Sequence, residues 1–172
     1  MSWQRWGRGC EGAAVEVVAF FEWLDGSALA SVAKAYGGVF AVVQMFHLLA
    51  LALLGGTVLV ADMRLLGLLM RDVPSEVVVR DTQRWFNLAL GVIVLSGIFM
   101  SSAVAMKLYY NEMFWAKMAG LAFGTVFVFG IRLPLLRHDH DTINPWALRA
   151  IAVTSLLVWF TVAASGRWIG FS

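Results

Sequence analysis

His47 is the residue best placed to do chemistry in this chain of 172 amino acids. It stands inside an apolar run, twelve residues after Ala35 and fifteen before Asp62. An ionisable side chain at that depth is costly in hydrocarbon and marks a functional site by default. Gln44, three residues earlier, falls on the same side of a helix and is expected to face the interior with it. Met100 offers a second soft donor, six residues before the outer end of the second apolar run and close to the level of His47. Ser96, Gly97 and Ala103 share its face, and small residues leave space for a flat macrocycle. Lys117 and Arg167 fall at the outer ends of the third and fourth runs, where cations suit haem propionates. Haem iron accepts histidine and methionine as axial ligands. The candidate cofactor site is therefore His47, Met100, Lys117, Arg167 and Gln44, with His47 and Met100 as metal ligands of a b-type haem.

Each of these residues also has a plainer reading. A histidine and a glutamine can simply hydrogen-bond between helices. Methionine fills apolar gaps, small residues permit close helix packing, and a lysine near a helix end snorkels to the headgroups. Copper handling by His47, Met45, Met100 and Met106 is a further reading, because imidazole and thioether both suit copper. Met45 is two residues from His47 and points to a different face, which counts against it.

The remaining polar motifs carry less. His138-Asp139-His140-Asp141 has the composition of metal ligands without the spacing of a closed site, and is expected to be a solvated loop. Gly120-xxx-Gly124 permits close backbone approach. Asp62 and Arg64 are two apart and do not face each other on a helix; each is expected to pair across the following loop or meet headgroups. There is no nucleophile–base–acid arrangement, no phosphate-binding loop and no cysteine–histidine metal spacing. A net charge of +2 with scattered basic residues argues against nucleic acid as a partner. The single cysteine, Cys10, forms no intrachain disulfide.

The elements that must position His47 are legible in the hydropathy. Hydrophobic residues make up 60% of the chain and charged residues 14%, where soluble domains carry about a quarter charged. Lipid is thus the expected solvent. Four apolar runs, 35–61, 85–106, 113–131 and 146–166, fall near the about 17–25 residues that a spanning helix needs. None shows period-2 alternation, so helices are expected rather than barrel strands. Trp85, Trp115, Trp146, Trp168, Tyr36, Tyr109 and Tyr110 mark the run edges, as interfacial aromatics do. Trp159 alone is deep. Asn144-Pro145 reads as an N-cap with proline at the first helical position. Arg64–Met70 is expected to prolong the first helix, Val73-Pro74-Ser75 to break it, and Glu76–Gln83 to form a short helix before the second span.

The expected fold is all-α: an integral membrane four-helix bundle (35–172) preceded by an N-terminal interfacial amphipathic arm (1–34). Ala13–Leu24 and Ser27–Ala35 are helix candidates too short to span, and are expected to lie flat on the outer interface. Charged residues through 1–30 leave no uncharged core for an ordinary signal peptide. Arg64, Arg71, Arg80, Arg84, Arg132, Arg137 and Arg149 lie in the two long loops, against Lys34, Lys107, Lys117 and Arg167 near the opposite span ends. The positive-inside bias therefore puts both loops in the cytoplasm and both termini outside, periplasmic in a Gram-negative cell.

Three further motifs, read in order, carry a resemblance. His47 with Gly55-Gly56 and Asp62-Met63-Arg64-Leu65-Leu66-Gly67, then Asn111-xx-Phe114-xx-Lys117, then Gly166-Arg167-Trp168-Ile169-Gly170-Phe171, resemble an uncharacterised family of small bacterial four-helix membrane proteins. The likeness covers roughly residues 20–172 and implies the architecture without an activity. More distantly the layout is similar to four-helix b-type cytochromes and to copper-resistance membrane domains. Many such relatives carry a second histidine after a phenylalanine late in the third helix; here Phe129 is followed by Gly130, which removes an inner ligand site. The functional expectation is a membrane electron-transfer subunit of the bacterial inner membrane, with one b-type haem near the outer face relaying electrons between a periplasmic partner and quinone. The alternative is a non-catalytic accessory subunit packed in the bilayer against other membrane subunits or further copies of itself. There, His47 and Gln44 are interhelical glue, and the arm and the Tyr109-Tyr110 loop are docking surfaces.

Overall fold

A computed structural model describes residues 15–70, 72–137 and 144–169. Every regular element among them is helical. Residues 15–25 form α1, followed by α2 (Ala28–Ala35) and α3 (Gly37–Leu65). Next come α4 (Ser75–Ala103), the short α5 (Ala105–Tyr109) and α6 (Glu112–Phe127). A single π turn, Val128–Arg132, joins α6 to α7 (Leu133–Arg137), and α8 (Pro145–Trp168) completes the order. Four stretches are long and apolar enough to cross a membrane: Gly37–Leu65, Val77–Ala103, Glu112–Leu135 and Trp146–Trp168. The His138–Asp141 motif and the first residues of the arm lie outside the described residues.

The helix ends have local causes. Ser27 caps α2 by accepting from the Ala30 N–H at 3.2 Å. Asn144 caps α8 by accepting from the Trp146 N–H at 3.0 Å, with proline following as the sequence suggests. The first span does not run on to Met70. It stops at Leu65, because Gly67 adopts φ +74°. Gly67 N–H donates to Arg64 O, and Leu68 N–H to Met63 O, the paired bonds of a Schellman motif. Arg64 then donates from Nε to Val73 O at 2.7 Å, closing the loop back on the helix. Glu76–Gln83 is no separate helix but the first turns of α4. At its other end α4 breaks at Val104, after Ser102 has turned its hydroxyl to Phe99 O at 2.7 Å. Hydroxyls that bond back to the preceding turn weaken a helix there.

The third span also continues past its expected end. Pro134 lacks an N–H, and its ring crowds the carbonyl four residues before it. The chain widens ahead of the proline into the π turn, where Leu133 N–H reaches Val128 O, and the helix survives to Arg137. A π insertion of this kind lets a helix absorb a residue it would otherwise expel.

The chain resolves into two compact units. One joins the described part of Met1–His47 to Val94–Asn111. Here Ala30, Ala33, Ala105 and Leu108 are buried, and the Phe21 ring lies 5.5 Å from that of Tyr109. The other joins Leu48–Ile93 to the described part of Glu112–Ser172. Its core is Ala50, Leu54 and Val58 from α3, Phe86, Ala89 and Ile93 from α4, Val128 from the π turn, and Trp159 from α8. Trp159 is therefore an interior residue, its ring edge-on to Phe86 at 5.4 Å.

Candidate functional site

His47 is buried, 7% exposed. Its Nδ1 lies 2.7 Å from Ser96 Oγ on α4. With the proton on Nδ1, that nitrogen donates to the serine and the lone pair sits on Nε2. A hydrogen bond of this type fixes the ring plane and the tautomer of a histidine ligand. Gly97 follows Ser96, and a methyl there would stand 3.7 Å from His47 Cε1, an ordinary van der Waals distance, so the glycine lies beside the imidazole edge. Met100 is half-buried, one turn beyond Ser96 on the same side of α4. The structure thus brings His47 to the small-residue face that also carries Met100, all within one compact unit.

Gln44 does not join them. It is exposed, and the buried stripe of α3 starts at His47 and runs through Ala50, Leu54, Thr57, Ala61 and Leu65. Asp62, about five turns later at the same helical angle, is fully buried, so it is Gln44's place on the first turns of α3, residues 37–46, none of them buried, that leaves it exposed. Met45 is likewise exposed, at 49%, and lies off the buried face. The copper set therefore reduces to His47, Met100 and Met106, the last of them half-buried on α5.

Lys117 and Arg167 belong to the second unit. The Lys117 chain packs over Gly166, its Nζ 3.5 Å from where a Gly166 Cβ would stand. Arg167, exposed, is the next residue on α8. Lys117 of α6 thus lies against the last turns of α8, where Arg167 follows Gly166.

The same unit holds a cluster that the sequence did not reveal. Asp62, 0% exposed, faces Arg132, 5% exposed, with Arg132 Nη2 2.8 Å from Asp62 Oδ1. Ser155, also 0% exposed, stands beside both, its Oγ 3.5 Å from Arg132 Nη1 and next to the carboxylate. The contact is an ionic one: among the described residues neither Asp62 oxygen receives a well-aligned hydrogen bond. Three spanning segments converge here, with α3 giving the acid, the π turn the base and α8 the hydroxyl. Asp62 thus finds its partner across the bundle rather than in the loop, and Arg132 lies within the third span, not after it. The sign of this was present in the sequence. Apolar Leu133, Leu135 and Leu136 follow Arg132, so the apolar run encloses the arginine.

Among the described residues no three His, Cys, Asp or Glu side chains converge. The soft donors in this unit are the His47 imidazole and, on the α4 face that carries Ser96, the Met100 thioether, two ligand types that haem iron accepts.

Four helices long and apolar enough to span, with every regular element among the described residues helical, define a multi-pass all-α membrane protein. The chain belongs to the DUF6644 family, a family of unknown function whose model matches residues 20–172. That is the extent over which the three sequence motifs carry their resemblance. No curated protein and no solved structure matches the chain, and nothing extends the likeness to cytochromes.

Proposed function

We propose that this protein is a membrane electron-transfer subunit that holds a b-type haem through His47. The observation that carries the reading is the buried imidazole whose Nδ1 is fixed by Ser96 Oγ at 2.7 Å. Haem, when bound, supplies the one-electron chemistry. The chain's own residues hold and tune it. With the proton on Nδ1, His47 would present Nε2 as ligand, Ser96 would orient the ring, and Gly97 lies beside the Cε1 edge. Met100 is the second soft donor on the same α4 face. Lys117, packed beside Gly166, and Arg167, the next residue of α8, are cations suited to carboxylates or phosphates. The partners in this reading are a periplasmic redox protein and quinone, the membrane is the bacterial inner membrane, and both termini lie outside. Burial of Arg132 leaves Arg64, Arg71, Arg80, Arg84, Arg137 and Arg149 to set that orientation.

The test is the haem-to-protein ratio of the wild type and of His47→Ala, purified side by side in mild detergent. The expected result is near-stoichiometric haem in the first and a loss of most of it in the second. Equal haem in both would remove His47 as ligand.

A second reading, an accessory subunit, is favoured by one observation. Only 17% to 28% of each span's apolar window is buried within the chain, which leaves most of that surface for lipid or for neighbouring membrane helices. A colourless protein that co-purifies with larger membrane partners would support it.

A further inference from the structure

The helices ahead of the first span present a surface that the electron-transfer reading does not use. In α2, Ala30 and Ala33 are buried, and the rest of the surface divides cleanly. Leu29, Val32 and Tyr36, spaced as one helical stripe, are 42%, 42% and 62% exposed. Ser31 and Lys34 form a separate polar stripe, also exposed. In α1, Phe21 is turned inward against Tyr109, while Phe20 and Trp23 are exposed with their rings 6.0 Å apart. Exposed aromatic and aliphatic side chains on two consecutive short helices are unusual on a surface facing water.

The chain itself indicates what covers them. A single residue, Tyr36, separates α2 from the spanning helix α3. The apolar stripe of α2 therefore ends within one residue of a segment that crosses hydrocarbon. Tyrosine is also the residue type that settles at the headgroup level. Such arms are ordinarily basic and are drawn to anionic lipid. This one is not basic: residues 1–36 hold Glu11, Glu16, Glu22 and Asp25 against Arg5, Arg8 and Lys34, and the described helices, 15–36, hold Glu16, Glu22 and Asp25 against Lys34 alone. Lys34 is moreover committed, with Nζ 2.9 Å from Asp25 Oδ1 and 3.3 Å from Asp25 O, which clips α1 to α2 across the Gly26 turn. Glu16 and Glu22 remain exposed.

We infer that α1 and α2 form an interfacial anchor that seats Leu29, Val32, Tyr36, Phe20 and Trp23 in the bilayer boundary next to α3, and that apolar burial alone, without attraction to anionic headgroups, drives the seating. The occupant of this face is the zwitterionic lipid surface. Its affinity scales with buried apolar area, and the exposed Glu16 and Glu22 give anionic lipid no purchase on it.

The experiment uses the full chain in vesicles, in a Cys10→Ser background. Single nitroxide labels are placed at Phe20→Cys, Trp23→Cys and Val32→Cys, with Glu22→Cys and Ser31→Cys as internal controls. All five positions are exposed, so labelling leaves the packed residues in place. Collision of the label with oxygen, which concentrates in lipid, is compared with collision with a water-soluble nickel chelate. The expected result is an oxygen-to-nickel ratio several-fold higher at 20, 23 and 32 than at 22 and 31. That pattern should be the same in phosphatidylcholine alone and with phosphatidylglycerol added. Nickel-dominated collisions at 20, 23 and 32 would overturn the proposal and leave the face to a protein partner. Oxygen access that appears only with anionic lipid would overturn its charge-independent part.

Discussion

At the scale of single residues, the buried imidazole and the buried ion pair differ in kind. His47 Nδ1 lies 2.7 Å from the Ser96 hydroxyl, and with the proton on Nδ1 that is the arrangement that orients a metal-binding imidazole. Ser96→Ala removes that contact without touching the ligand atom. In the electron-transfer reading it keeps the pigment but weakens haem retention by roughly 10–100-fold. Haem transfer to a soluble apo-acceptor measures this, and unchanged retention would make Ser96 a packing residue. Asp62 and Arg132 instead neutralise each other inside the bundle at 2.8 Å. Removing one charge from a buried pair strands the other, at about 3–5 kcal/mol. Asp62→Asn and Arg132→Gln should each lower the midpoint of unfolding in mixed detergent strongly, whereas Asp62→Leu with Arg132→Met should recover much of the loss. A double variant as unstable as either single one would assign the pair a role beyond mutual neutralisation.

His47 was legible because an ionisable residue in mid-span stands out against its apolar neighbours. Asp62 and Arg132 stand at the ends of their runs, where a charge normally meets headgroups, so sequence alone read them as loop residues. Gln44 was misjudged for a geometric reason. Gln44 stands on the first turns of α3, residues 37–46, which bury nothing before the stripe begins at His47, and a shared helical side does not reveal where along a helix burial starts.

At the scale of elements, spans and caps follow from local chemistry, and the departures follow from single residues. Gly67 ends α3 early by taking φ +74°. Pro134 forces a π turn instead of ending the third span, because a helix lying among others keeps its partners when one turn widens. Hydropathy averages carry neither effect. The helix contacts themselves depend on small residues, as the Gly120-xxx-Gly124 spacing suggests. A Cβ at Gly120 would stand 2.8 Å from Val162 Cγ2, and one at Gly124 would stand 3.3 Å from Trp159 Cζ2. Gly120→Ala therefore forces α6 and α8 apart, at about 1–3 kcal/mol. Val162→Ala in the same chain should restore most of the loss in detergent unfolding. Failure of that rescue would place the clash elsewhere.

At the scale of the whole molecule, the chain has two compact units and four spanning helices. One unit carries the imidazole and its serine; the other carries the buried ion pair and the cations Lys117 and Arg167. Composition and run length were enough to establish the membrane class, since 60% hydrophobic residues in four separate runs leave few other folds. The family match over residues 20–172 agrees with that architecture. A cofactor leaves no such mark in composition, because one histidine and one methionine among 172 residues suffice to hold it. The central claim is thus best tested on the intact protein. An absorption spectrum of the detergent-purified chain, oxidised and then reduced with dithionite, should show a Soret band that sharpens on reduction with resolved α and β bands. A featureless spectrum from fully folded protein purified from haem-replete cells would contradict the electron-transfer account.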